Sequence, residues 1–156
     1  MGLLGLLATV QAGAAAHVGA PLPSLKLPNV TGELVPLRDE SARVSVINFW
    51  ASWCTPCLQE IPELSAVHER WQRRGVRVVG IAVDSGTPAE IAEFARQHDI
   101  DYPVLVADTA WARQHFGLNG IPVTLIVDNH GIIRVRLPGP QTAERLIDVI
   151  RRTLRR

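Results

Sequence analysis

Val44 to Trp50 reads Val-Ser-Val-Ile-Asn-Phe-Trp, a short run that is β-branched or apolar at nearly every position. A run of this length and composition is a strand buried on both faces, and such a strand requires cover on each side. It ends in Ala51, Ser52 and Trp53, and the chain's two cysteines follow at once, Cys54 and Cys57, around Thr55 and Pro56. Beyond them Leu58, Ile61, Leu64, Val67 and Trp71 recur at helical spacing with Glu, Gln and Arg between. A dithiol therefore sits where a buried strand turns into a helix.

The chemistry of sulfur gives that placement a meaning. The thiolate is the nucleophile, and a free cysteine is mostly protonated at neutral pH. The first turn of a helix offers unpaired backbone N–H groups and the positive end of the helix dipole, and both favour an anion. Cys54 can occupy that turn with its sulfur accessible, while Cys57 lies on the same helix face and can close a disulfide with it. Pro56 loses nothing in a first turn, where its missing N–H has no partner anyway.

Other uses of two cysteines fit less well. A structural disulfide across three residues closes too short a loop to remove much unfolded-state entropy. A zinc site needs about four ligands, and His68 and His98 are too far apart in sequence to form the usual His pair. Haem attachment needs His at position 58, where Leu58 stands. A redox pair is the best account.

The 156 residues suffice for one domain with a proper core. A hydrophobic fraction of 47% and a charged fraction of 20% are those of a soluble globular protein. A net charge of +1 gives no bulk electrostatic case for nucleic acid. Residues 1–16 carry no acidic or basic side chain, and Gly2–Val10 is leucine-rich and apolar. With Ala14 and Ala16, or Val10 and Ala12, as small-residue cleavage positions, this stretch resembles a secretory signal peptide, although no Lys or Arg precedes it. That reading predicts a mature chain starting near His17 and a protein found outside the cytoplasm. An unstructured N-terminal extension is the alternative.

Residues 21–156 form the folded domain in this reading. Leu25–Leu27 and Glu33–Leu37, separated by Asn29-Val30-Thr31-Gly32, predict a β-hairpin ahead of the central strand. Val76–Val83 is a second buried strand. Thr87-Pro88-Ala89-Glu90 is a capping box with Pro at the first helical position, opening a helix to His98. A short strand is expected over Tyr102–Val106 and a short helix over Asp108–Phe116, closed by Gly117. Ile121-Pro122 leads into the strand Val123–Val127, Asp128–Gly131 turns the chain, Ile132–Leu137 returns, and Thr142 caps a last helix. Pro62 inside the first helix is expected to bend it. The five histidines are scattered and read as surface or helix-end residues. This order of elements predicts an α/β fold, a mixed sheet with helices on both faces.

Phe49-Trp-Ala-Ser-Trp-Cys-Thr-Pro-Cys57 closely resembles the active site of thioredoxin-fold proteins. The continuation Leu58-Gln-Glu60-Ile-Pro62 is similar to the TlpA/ResA group, bacterial extracytoplasmic thiol-disulfide oxidoreductases that include the thioredoxins of cytochrome c maturation. The resemblance implies a thioredoxin-like α/β/α sandwich with an N-terminal β-hairpin, working through the Cys54–Cys57 disulfide with no cofactor or metal. It implies that Cys54 attacks and Cys57 resolves. It also implies that Trp53, Thr55, Pro56, Ile121 and Pro122 face the substrate, with Pro122 a cis-proline beside the dithiol. Its expected partners are a protein thiol or disulfide and a membrane-embedded electron donor, with the protein a monomer that binds no nucleic acid.

One departure from ordinary thioredoxin matters. The aspartate buried six residues before the first cysteine is replaced by Asn48, and an amide cannot shuttle a proton. The TlpA/ResA group has an acid at the Glu60 position. Three residues past Cys57 on one helix face, Glu60 is placed to exchange a proton with the resolving thiol; the plain alternative is a solvated carboxylate near a helix N-terminus. Glu63 has no comparable case. Two competing functions remain: a thiol peroxidase of peroxiredoxin type, which would place Thr where Ala51 stands, and a non-enzymatic dithiol copper chaperone.

Overall fold

A computed structural model of the chain describes residues 15–156. The signal-peptide reading of 1–16 thus lies almost wholly outside the described residues. Of its last two, Ala16 is buried, and its N–H donates to the His115 carbonyl at 2.7 Å.

A five-stranded mixed sheet is built around β3 (Val44–Trp50). Parallel to it runs β4 (Val76–Val83), and beyond that β5 (Val104–Ala107); on the other side lie β6 (Val123–Asp128) and β7 (Ile133–Pro138), both antiparallel to their neighbours. The order is β5-β4-β3-β6-β7. Every residue of β3 is buried, as its composition requires of a central strand covered on both faces. The predicted hairpin forms from β1 (Lys26–Pro28) and β2 (Leu34–Pro36). Its Asn29 makes a bridge to Leu105, while Pro21 bridges to Ile132. The N-terminal segment therefore protects backbone at both edges of the sheet, where unpaired strands invite association.

Helix α1 (Thr55–Trp71) runs through Pro62 as one element, followed by a 3-10 turn (72–74) and a left-handed Gly75. Next come α2 (Pro88–Gln97), α3 (Thr109–Phe116, closed by a left-handed Gly117) and α4 (Ala143–Leu154). The capping box at Thr87 and Glu90 is present in full, and a cap of this kind contributes about 1 kcal/mol. Strand period decides which helices cover which face. Val44 and Val46 pack with Leu64, Val67 and Trp71 of α1 and with Leu146 and Ile150 of α4. Ile47 and Phe49, one residue out of phase, pack with Ile91 of α2 and Ala112 and Phe116 of α3.

The expected strand from Tyr102 is shorter than its apolar run. Pro103 has no N–H to give a ladder, so pairing with β4 begins at Val104, opposite Gly80. Tyr102 is buried just ahead of the strand. Gly80 also marks a close approach: a Cβ there would come within 2.6 Å of Nε1 of the buried Trp50. His68 departs from the surface reading, being half-buried with its Nδ1 enclosed and its ring edge-on to Tyr102. No helix among the described residues is long and apolar enough to cross a membrane.

Candidate active site

Strand pairing brings the predicted site residues together at one end of the sheet. Phe49 lies opposite Val123 in the β3–β6 pair, so the residues after Phe49 and those before Val123 leave the sheet side by side. Trp50 lies opposite Ala82, which puts the loop after β4 at the same end. Register alone thus delivers Cys54, Ile121 and Asp84 to one place.

Cys54 is the N-cap of α1, with extended backbone, and its Sγ accepts a hydrogen bond from the Cys57 N–H at 3.3 Å. The two cysteines form a disulfide, S–S 2.17 Å and Cα–Cα 5.2 Å. Thr55 and Pro56 are exposed in the first turn. Cys54 is 6% exposed and Cys57 1%, so Cys54 is the outer of two well-covered sulfurs. After reduction, the amide bond and the helix terminus both act on Cys54 and favour its thiolate. Reduced protein at neutral pH is therefore expected to alkylate at Cys54 at least about tenfold faster than at Cys57. Peptide mapping after brief iodoacetamide exposure checks this, and equal labelling would remove the difference in roles.

The Ile121–Pro122 bond is cis. The Ile121 carbonyl oxygen lies 3.9 Å from Cys54 Sγ, within reach of a thiol proton once the pair is reduced. Among the described residues no backbone hydrogen bond uses the Ile121 N–H. Trp53 is 64% exposed beside the pair, and its indole N–H donates to the Asp84 carbonyl at 3.0 Å. Ser85 Oγ accepts the Ser52 N–H at 3.0 Å, so the loop after β4 holds the segment entering the redox helix at two points.

Three residues past Cys57 on α1, Glu60 joins a polar cluster in the α1 face of the sheet. Asn48 and Thr124 are paired across β3 and β6, so their side chains share that face. Asn48 Nδ2 donates to Glu60 Oε2 and to Thr124 Oγ1, both at 2.9 Å. Glu60 Oε1 also accepts from Thr124 Oγ1 and from the Gln141 N–H, each at 3.2 Å. Glu60 is 1% exposed, which sets aside the solvated-carboxylate reading. Burial pushes its carboxyl above the ordinary glutamate value, and the bonds from Asn48, Thr124 and Gln141 pull part of the way back.

Thr124 and Gln141 were not foreseen from the sequence. Thr124 left a signal: it is the one polar side chain in Val123–Val127, as Asn48 nearly is in its strand. Glu63 also gains a role, accepting the Ala143 N–H at 2.7 Å at the start of α4. With Gln141 bound to Glu60, successive carboxylates of α1 anchor the entry to α4.

The chain is similar to curated and solved thiol-disulfide proteins. The thiol-disulfide oxidoreductase ResA of Bacillus thuringiensis is 24% identical over 136 residues, covering 87% of this chain and 78% of that protein. ResA of Geobacillus thermodenitrificans is 27% identical over 131 residues, 83% of this chain and 74% of that one. A thiol:disulfide interchange protein of the thioredoxin family from Chlorobium tepidum superposes with a TM-score of 0.76 at 28% identity, over 90% of this chain and 99% of that one. A DsbF homologue from Corynebacterium diphtheriae gives 0.76 at 29%, over 85% and 86%. The fold is thus thioredoxin-like. Residues 18–136 match the AhpC/TSA family model, and the chain belongs to the AhpC/TSA family.

Proposed function

We propose that this chain is a thiol-disulfide oxidoreductase that reduces protein disulfides outside the cytoplasm. The observation that carries the reading is the Cys54–Cys57 pair at the start of α1, with Cys54 Sγ 3.9 Å from the Ile121 carbonyl. In the reduced protein the Cys54 thiolate attacks one sulfur of the substrate disulfide. That S–S bond breaks, the other sulfur leaves as a thiolate, and a mixed disulfide to Cys54 forms. Cys57 loses its proton, attacks Cys54 Sγ and expels the second substrate sulfur. The substrate gains two electrons and two protons, and the Cys54–Cys57 disulfide is restored.

Glu60 lies on the Cys57 side of the helix and takes the proton of the resolving thiol in this scheme. The exposed Trp53, Thr55 and Pro56 and the backbone of Ile121 form the surface that meets the substrate, an extended segment pairing with Ile121 as a strand pairs with an edge. Return of the oxidised pair to the dithiol needs a two-electron donor, and a membrane-embedded one suits a protein working outside the cytoplasm. The apolar residues 2–10 support that location.

The two alternatives have less behind them. A peroxiredoxin-type peroxidase would use Thr where buried Ala51 stands. Copper handling would rest on the cysteines alone, since among the described residues no three His, Cys, Asp or Glu side chains gather as a metal site. The test is catalytic turnover of insulin disulfides with dithiothreitol as donor. Acceleration that disappears in Cys54→Ser is expected. Stoichiometric copper retention, or peroxide consumption, without insulin reduction would overturn the reading.

A further inference from the structure

Beside the disulfide, between Trp53 and α3, lies a cleft of about 200 Å³. Its floor and walls are apolar, formed by Trp53, Val83, Ala112, Leu118 and Ile121. Thr109, Arg113 and Asn119 also line it, and Arg113 and Asn119 are exposed. Sites for whole small molecules run from roughly 300 Å³ upward, so this one fits a single large side chain. Ile121 belongs both to the cleft and to the backbone facing Cys54. In an extended peptide, side chains alternate from one side of the strand to the other. A peptide held against Ile121 with its sulfur at Cys54 therefore sends a neighbouring side chain toward the cleft.

What links the two walls is Asp84. It is one of two non-glycine residues among those described with positive φ, at 46°. That left-handed conformation costs a side-chain-bearing residue about 1 kcal/mol or more, and persists where neighbouring bonds enforce it. Here they do. The Asp84 N–H donates to the Ala107 carbonyl at 3.2 Å, and its own carbonyl accepts the Trp53 indole N–H. Its carboxylate accepts both the N–H and the hydroxyl of Thr109, the first residue of α3. One residue thus ties the tryptophan wall to the helical wall. Arg113 forms no ion pair among the described residues, while the Asp84 carboxylate is engaged by Thr109.

On the reading of this chain as a disulfide reductase, we infer that the Trp53–α3 cleft is a specificity subsite. It takes an apolar side chain adjacent to the substrate cysteine and pairs a following carboxylate with Arg113, with Asp84 as the residue that positions both walls. Neither charge nor shape suits a basic neighbour: Arg113 would repel it, and the apolar floor would leave it unsolvated.

The test uses the full chain and disulfide-linked fluorogenic peptides that differ only beside the cysteine: Leu-Glu, Leu-Gln, Ser-Glu or Lys-Glu. Wild type is expected to favour Leu over Ser in kcat/KM by about tenfold or more, the discrimination a small apolar pocket supplies. Ala112→Leu, which fills the cleft, and Asp84→Ala, which removes the carboxylate that holds Thr109 and with it the brace on the left-handed turn carrying the Trp53 contact, should bring that ratio near one. The lost selectivity should appear mainly in KM. Arg113→Gln should keep the Leu preference and lose the advantage of Leu-Glu over Leu-Gln, an advantage that wild type also loses in high salt. A cooperative melt and retained insulin reduction establish that Ala112→Leu and Arg113→Gln are folded, so the outcome does not depend on Asp84→Ala alone. Equal rates on Leu and Ser peptides in wild type, or a Leu preference that survives Ala112→Leu, would overturn the subsite alone. Failure of wild type to reduce any of the peptides or insulin would overturn the parent reading with it.

Discussion

Cys57→Ser is expected to accumulate as a covalent adduct with its substrate, while Cys54→Ser forms none and loses activity by about three orders of magnitude or more, as removal of a nucleophile does. The asymmetry follows from the two environments. Cys54 sits at the N-cap, where the Cys57 N–H reaches its sulfur at 3.3 Å, and it faces the Ile121 carbonyl. Cys57 lies one turn inward and 1% exposed, able to reach Cys54 Sγ but not a protein in solution. Without it the first exchange proceeds and the second has no attacking thiol. Non-reducing electrophoresis of cells carrying Cys57→Ser, followed by identification of the linked protein, checks the order and names the substrate. Adducts carried by Cys54→Ser through Cys57 would reverse the roles.

The second large effect belongs to Glu60. Its folded-state carboxyl is raised by burial above the value it has in the unfolded chain. The folded protein therefore binds the extra proton between those two values. Its contribution to stability is complete below the unfolded value, near 4.5, and is lost as pH rises through the folded one. Glu60→Gln removes the titrating group, so the melting temperature of the variant should lose the decline that wild type shows on leaving acid pH. The change is not free: Asn48 Nδ2 donates to Glu60 Oε2, and an amide nitrogen placed there opposes it, at about 1–3 kcal/mol for an unsatisfied buried donor. In exchange kinetics, the resolving step should slow and its pH profile should change shape, since Gln accepts no proton. A variant with the wild-type profile in both stability and resolution across pH 5–9 would make Glu60 a structural carboxylate.

How much of this was legible in the chain depends on distance along it. The Val44–Trp50 run, the cysteines at its end and the Thr87 capping box are each written within a few residues, where local period and backbone chemistry decide the outcome. The partners of Glu60 are not. Thr124 reaches it because β3 and β6 pair in one register, and Gln141 because α4 begins beside α1; no local pattern encodes either. The same holds for Glu63 and Ala143. Asp84 gave no local sign of its left-handed conformation, because that conformation is enforced by Ala107, Trp53 and, through its carboxylate, Thr109, two of them more than twenty residues and one more than thirty residues away along the chain. Pro103 did carry a readable signal: it lacks the N–H that a strand starting at Tyr102 would need.

The two ends of the described chain are anchored to different helices. Ala16 is fixed to His115 on α3, the helix that walls the cleft. Arg151 of α4 stacks over Trp71 at the far end of α1, about 25 Å from its first turn at 1.5 Å per residue. Anything joined through Arg156, whether a fluorophore, a surface or a second domain, is held away from the dithiol and leaves the substrate face open. Coupling chemistry, display formats and fusion order for this protein therefore have a preferred direction.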